Sequence, residues 1–185
     1  MPHHPDNYRA VNLLAFQDAA FCVAFRICFF MWRRQGGKSY TIASKAIDRM
    51  IEKPWRNCFF VSASIATGKE IVEKEATIWH DALGALKACQ DRLGKQLGGN
   101  VIDKASNDLL NVDDLAELMD KQAAQVRIYH TRTAYSRTKI LAPNPDTARG
   151  WTGDVFGDEI GFWPDFKGVW DAVEPIISRK PEFLF

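Results

Sequence analysis

The run Gln35-Gly36-Gly37-Lys38-Ser39 contains the parts needed to hold a phosphate chain. A triphosphate is bound by several backbone N–H groups pointing inward, and glycine-rich backbone curls tightly enough to supply them. A helix beginning at Ser39 would add the positive end of its dipole. The Lys38 ammonium can reach outer phosphate oxygens, and the Ser39 hydroxyl can ligate Mg²⁺. The full pattern GxxxxGK[ST] would place glycine at position 32, where this chain has Trp32, so only the second half of the motif is present.

A second chemical pair, Asp158-Glu159, ends the run DVFGDE. Beside a phosphate loop, the Asp of such a pair would orient Mg²⁺ or its water, and the Glu would polarise an attacking water. An acidic dipeptide is weak evidence in a chain that is 25% charged. Its place at a strand end, about 120 residues after the Lys-Ser loop, is what gives it meaning.

These residues need strands and helices to position them. Residues 12–24 carry apolar side chains at helical spacing, and residues 25–31 (FRICFFM) read as a buried strand running into the glycine loop. Residues 39–52 predict a helix that Pro54 ends. Residues 57–62 are a second strand candidate, followed by a helix over residues 66–95 interrupted near Gly84. Residues 94–111 read as loop, and residues 112–124 as a helix with acids in its first turn, where the dipole favours them. Strands are expected over residues 126–130, 138–142 and 154–160, the first two paired or neighbouring. A helix over residues 170–177 and a strand opening at residues 183–185 complete the pattern. This alternation predicts an α/β domain with a mainly parallel sheet. Residues 1–11 are expected to form a tail and residues 12–185 the domain, cut short at its C-terminus.

Composition sets outer limits. With 46% hydrophobic residues the chain can bury a core, which excludes disorder throughout. The 24 basic residues nearly balance 23 acidic ones, so net charge predicts no nucleic-acid partner. Cys22, Cys28, Cys58 and Cys89 form no CxxC pair or zinc-like grouping, which fits a reducing compartment. The most apolar run, residues 19–32, is too short to span a membrane and contains Arg26. Ser62 and Ser64 are expected to cap the following helix, and Trp151, Phe162 and Trp163 to pack in the core or an interface.

The run RRQGGKS resembles the phosphate loop of phage terminase large subunits, the motors that drive DNA into capsids, in which the first glycine is commonly absent. The stretch TKILAPNPDTARGWTGDVFGDEIGFW is similar to that family's approach to its acidic pair. The resemblance runs from about Leu13 to the C-terminus. It implies a RecA-like P-loop ATPase domain, a three-layer sandwich that binds ATP and Mg²⁺. On it, Arg34 is the loop arginine that responds to the γ-phosphate, Gln17 sits where such motors read adenine, and Arg149-Gly150 lead into the metal-binding Asp158 and catalytic Glu159. It also implies double-stranded DNA, a capsid portal, a terminase small subunit and a homo-oligomeric ring as partners, in the host cytoplasm and off the membrane. On the resemblance, the family's coupling segment and nuclease domain are expected to fall beyond these residues. Two other readings remain: a helicase-like P-loop motor, and a non-catalytic remnant or assembly module retaining the fold.

Overall fold

The computed structural model describes residues 13–23, 25–33, 35–62, 64–96, 119–122, 125–131, 133–144, 146, 151–179 and 182–184. Among the described residues, the helices α1 (Ala15–Phe21), α2 (Lys38–Glu52), α3 (Ile65–Gln96) and α4 (Phe166–Ser178) pack on a sheet of five described strands. The strands are β1 (Asn57–Val61), β2 (Met119–Gln122), β3 (Gln125–Tyr129), β4 (Tyr135–Leu141) and β5 (Asp154–Gly157), in the spatial order β2-β3-β4-β1-β5. The strands β4, β1 and β5 run parallel, while β2 and β3 add an antiparallel edge.

Burial follows the side-chain pattern of each strand. Strand β1 (NCFFV) is apolar at consecutive positions because both of its faces are covered. Cys58 and Phe60 join a core under α2 and α3 with Met50, Ile71 and Ile140. Phe59 and Val61 face the other way, against Val155, Val173 and Ile177 of β5 and α4. These are the three layers expected of the domain. In β3, and in β4 as far as Ile140, alternate residues are buried against α2 and α3, and Leu141 at the end of β4 is buried on the other face with Val173 and Ile177.

Helix α2 starts where Gly37, at φ 73°, takes the left-handed conformation that side-chain-bearing residues rarely adopt. It ends at Lys53, which Pro54 holds in extended backbone. Ser64 caps α3 as expected, its Oγ accepting from the Thr67 N–H at 3.1 Å. The Ser62 hydroxyl does not: it is buried at the end of β1, without a hydrogen-bond partner among the described residues.

Five sequence expectations need correction. Residues 25–31 form no strand, and Phe25 (77% exposed) and Met31 (97%) lie largely in solvent. Among the described strands β5 is the last on its side of the sheet, and beyond it the Val155 N–H donates to the Leu184 carbonyl at 2.7 Å. The apolar run therefore has no ladder to join, and apolarity without a neighbour does not make a strand. Residues 119–122 pair with β3 although their pattern reads helical, because a two-residue connection lets their backbone hydrogen bonds be satisfied locally. Helix α3 continues through Gly84 and past Gly94, since one glycine costs only about 1 kcal/mol in a helix anchored by Ile71, Val72 and Ile78. Strand β5 is also shorter than residues 154–160, and residues 183–184 touch it without forming a strand. The tail 1–11, residues 97–111 of the expected loop and the first part of the expected helix at 112–124 lie outside the described residues.

On the face of α3 that meets β4 sits a buried acid, Glu75. The Thr138 hydroxyl donates to its Oε1 at 2.8 Å, and Oε2 has no partner among the described residues. Burial pushes its pKa from 4.5 up to about 8, only partly offset by the Thr138 hydrogen bond, so the carboxyl is mostly protonated at neutral pH. The folded chain then holds a proton that the unfolded chain gives up above about pH 4.5, so stability should fall as pH rises through this window to about 8. Burial also raises the pKa of Asp154, to about 6, so the interval between pH 6 and 8 isolates Glu75. Unfolding midpoints in urea should drop across that interval in the parent and stay nearly level in Glu75→Gln. Parallel curves for the two proteins would disprove the assignment.

Candidate functional site

The glycine loop and the acidic pair, far apart in sequence, meet at the ends of the parallel strands. The Ser39 hydroxyl donates to Asp158 Oδ2 at 3.1 Å across 119 positions. Lys38, Ser39 and Tyr40 open α2, whose first turn holds no acidic residue, so its unpaired N–H groups and dipole face the site without competition. Gln35 joins Gly37 at positive φ (58° and 73°), which folds the loop back on itself. The Thr41 N–H closes the first helical turn on the Gly37 carbonyl at 3.0 Å.

Asp158 is buried and fixed from several sides. Its N–H donates to the Val61 carbonyl at 2.9 Å, tying the tip of β5 to β1. Its carbonyl accepts from the Trp163 indole at 3.1 Å, and its Oδ1 accepts from the Glu159 N–H at 3.0 Å. Glu159 takes left-handed backbone at φ 53°, a conformation that costs about 1 kcal/mol or more outside glycine, and its side chain is exposed. The strand tip thus presents one buried and one exposed carboxylate side by side.

Gln17 is buried at 6% exposure and its carboxamide is engaged at both ends. Nε2 donates to the Gly36 carbonyl at 3.1 Å, and Oε1 accepts from the Leu14 N–H at 2.8 Å. A Cβ on Gly37 would lie 2.2 Å from Nε2, so only glycine allows this approach. Trp32 packs edge-on against Phe16 at 5.0 Å and lies 5.8 Å from Phe30. The residue that breaks the full glycine motif thereby fastens the loop to α1.

A cavity of about 1320 Å³ opens beside this loop, lined by Gln35, Lys38 and Glu159 and by the apolar side chains of Phe29, Phe30 and Phe156. It exceeds the ordinary range for a small-molecule pocket, about 300–1,000 Å³, and residues of the run 25–31, outside the sheet, form one wall. Of the residues expected at the site, Gln17, Gln35, Gly36, Gly37, Lys38, Ser39, Asp158 and Glu159 gather here. Arg34 and Arg149 lie outside the described residues. Among the described residues no cluster of three or more His, Cys, Asp or Glu could hold a metal. Ser39 Oγ and Asp158 Oδ2 do offer a hydroxyl and a carboxylate oxygen in contact, the donor chemistry that suits Mg²⁺ when phosphates and water supply its other ligands.

Sequence reasoning missed the support beneath this site. Asp154, at the start of β5, is fully buried and accepts from Arg56 Nε at 2.8 Å and Arg49 Nε at 3.4 Å. Arg56 also meets Glu182 at 3.2 Å, and Arg49 donates to the Glu182 carbonyl. Burial raises the Asp154 pKa to about 6 against the pull of Arg49 and the Leu184 N–H, leaving it ionised at neutral pH. The one available signal was a charged residue opening an otherwise apolar strand, which must find a buried counter-charge.

Comparison with solved structures places this arrangement in a class. The chain superposes on the large terminase ATPase domain of Thermus phage P74-26 with TM-score 0.60 at 17% identity, covering 100% of this chain and 63% of that one. A point mutant of the same domain matches at TM-score 0.59, again with 17% identity and the same coverage. The fold is therefore the RecA-like α/β fold of terminase ATPase domains, and the chain spans 63% of the length of those structures. A sequence model described as terminase large subunit, T4likevirus-type, N-terminal, matches residues 29–183, and the chain belongs to that family. No curated protein matches it.

Proposed function

We propose that this chain binds Mg-ATP in the loop at residues 35–39 and hydrolyses it, as the ATPase part of a terminase large subunit that packages DNA. The observation that carries this reading is the contact between Ser39 and Asp158, which brings a phosphate-type loop and an acidic strand end within 3.1 Å. Family membership supplies the biological setting.

The loop's N–H groups and Lys38 hold the phosphate chain, and Ser39 with Asp158 hold Mg²⁺. The metal, once bound, neutralises charge developing on the phosphate oxygens. Gln17 fixes the Gly36 carbonyl and keeps its second amide N–H for the adenine edge. Glu159, exposed and backbone-bonded to the Asp158 carboxylate, takes the proton of a water whose oxygen bonds to the γ-phosphorus. The bond from that phosphorus to the bridging oxygen breaks, and ADP leaves with the electron pair. Arg34 stabilises the charge spread over the transferred group, and Arg149 contributes to holding the phosphates.

Double-stranded DNA, a capsid portal, a terminase small subunit and a ring of like subunits are the partners this reading requires, with assembly in the host cytoplasm. Among the described residues, no helix is long and apolar enough to cross a membrane.

Calorimetric titration of Mg-ATP into the chain tests the reading, with Lys38→Ala as control. Loss of the ammonium should weaken binding at least about tenfold, the scale of one charge-assisted phosphate contact. Equal isotherms for the two proteins, or no binding by the parent, would rule out the loop as the nucleotide site.

A further inference from the structure

We propose that the Ser62 hydroxyl positions the metal of the nucleotide site, accepting a hydrogen bond from a water in the shell of the Mg²⁺ held by Ser39 and Asp158. The inference rests on the Mg-ATP reading above and adds to it a group that orients the ion's surroundings. Ser62 follows β1 directly and is fully buried, and its Oγ has no hydrogen-bond partner among the described residues. Capping does not use it, because Ser64 accepts from the Thr67 N–H and its hydroxyl also meets Thr67 Oγ1 at 2.9 Å. A buried hydroxyl left unpaired costs stability, so one kept at a strand end beside a binding site calls for a partner that arrives with the ligand.

Strand register puts this hydroxyl beside the acid of the site. Val61 pairs with Gly157, and the Asp158 N–H donates to the Val61 carbonyl at 2.9 Å, so one residue further on Ser62 stands next to Asp158. Side chains alternate along a strand. Phe60 lies in the core under α2 and α3 and Val61 on the opposite side, which returns Ser62 to the side of α2. Asp158 points the same way, since its Oδ2 meets Ser39 in the first turn of α2. The two carboxylate oxygens take their hydrogen bonds from Ser39 and from the Glu159 N–H, and none joins Asp158 to Ser62. A single water commonly bridges polar groups that neighbour each other without touching. Mg²⁺ dehydrates reluctantly and keeps several waters, and a cation makes its water a stronger donor, which suits an acceptor such as Ser62 Oγ. Groups that steady a metal's first ligands from outside change its affinity by roughly 10- to 100-fold when removed.

Calorimetric titration of ATP into the parent, Ser62→Ala and Ser62→Cys, with saturating Mg²⁺ and again with EDTA, tests the assignment. Mg-ATP should bind Ser62→Ala about tenfold more weakly than the parent, while metal-free ATP binds both equally. Cysteine fills the same space with a weak acceptor, so Ser62→Cys should bind as Ser62→Ala does. Denaturation midpoints of the metal-free chain should stay level or rise in Ser62→Ala, because an unpaired buried hydroxyl has gone. Equal Mg-ATP affinity in the parent and Ser62→Ala would overturn the proposal and leave the loop reading standing, whereas a parent that binds no Mg-ATP would overturn both. Weaker binding of both forms of ATP, with a lower midpoint, would make Ser62 a packing residue and overturn the proposal. Slower phosphate release with the metal dependence unchanged would move the hydroxyl to the attacking water and overturn it as well.

Discussion

Replacing Glu159 with Gln is expected to slow ATP turnover by about 10²- to 10⁴-fold, the range supplied by a positioned general base, while Mg-ATP affinity changes by less than about threefold, well under 1 kcal/mol. The geometry separates the two effects. Glu159 makes its one described contact with the site through its backbone N–H, on Asp158 Oδ1, and its exposed carboxylate fixes neither the loop nor α2. Glutamine keeps the shape and can still accept a hydrogen bond from water, but it cannot take the proton. Phosphate release under saturating Mg-ATP reads turnover, and calorimetry reads binding. Unchanged phosphate release would remove Glu159 from its role, and a collapse of binding would mean that its charge helps hold the metal.

Arg56→Ala should cost about 3 kcal/mol of folding stability, the lower part of the range for removing one partner of a buried ion pair. Arg56 and Asp154 are both almost entirely buried, and Ala would leave Asp154 in a dry interior with the longer contact from Arg49 as its ion pair and the Leu184 N–H at 2.8 Å as its hydrogen bond. The retained Arg49 bond is why the estimate stays at the lower end. Replacing both residues by apolar side chains should cost less than Arg56→Ala alone, because no unpaired carboxylate remains. Chemical denaturation midpoints for the single and double variants decide this. A double variant less stable than the single one would show that the pair gives net stabilisation.

The chemistry was easier to read in the sequence than the architecture that supports it. The motif Gly36-Gly37-Lys38-Ser39 is local, and a helix start directly after glycine can be recognised from a few residues. Strands β1, β3 and β4 were legible because their apolar positions alternate or run together according to how many faces are covered. The run 25–31 carried the same signal and misled, since a strand also needs a neighbour and neighbours are not encoded nearby. Met119–Gln122 misled in the opposite sense: MDKQ fits a helix face, and only its hairpin partner makes it a strand. The Arg56–Asp154 pair joins positions 98 apart, and Ser62 comes beside Asp158 only after pairing sets Val61 opposite Gly157.

Helix α2 is bolted to β5 at two points. Ser39 meets Asp158 at its first turn, and Arg49 meets Asp154 near its last. At 15 residues the helix is about 22 Å long, so the two bolts stand most of its length apart. An ion that enters between Ser39 and Asp158 loosens the upper bolt and leaves the lower one tight. The separation of helix and strand is then set at one end by the metal and at the other by Asp154 and the core side chains Ala46, Ile47 and Met50.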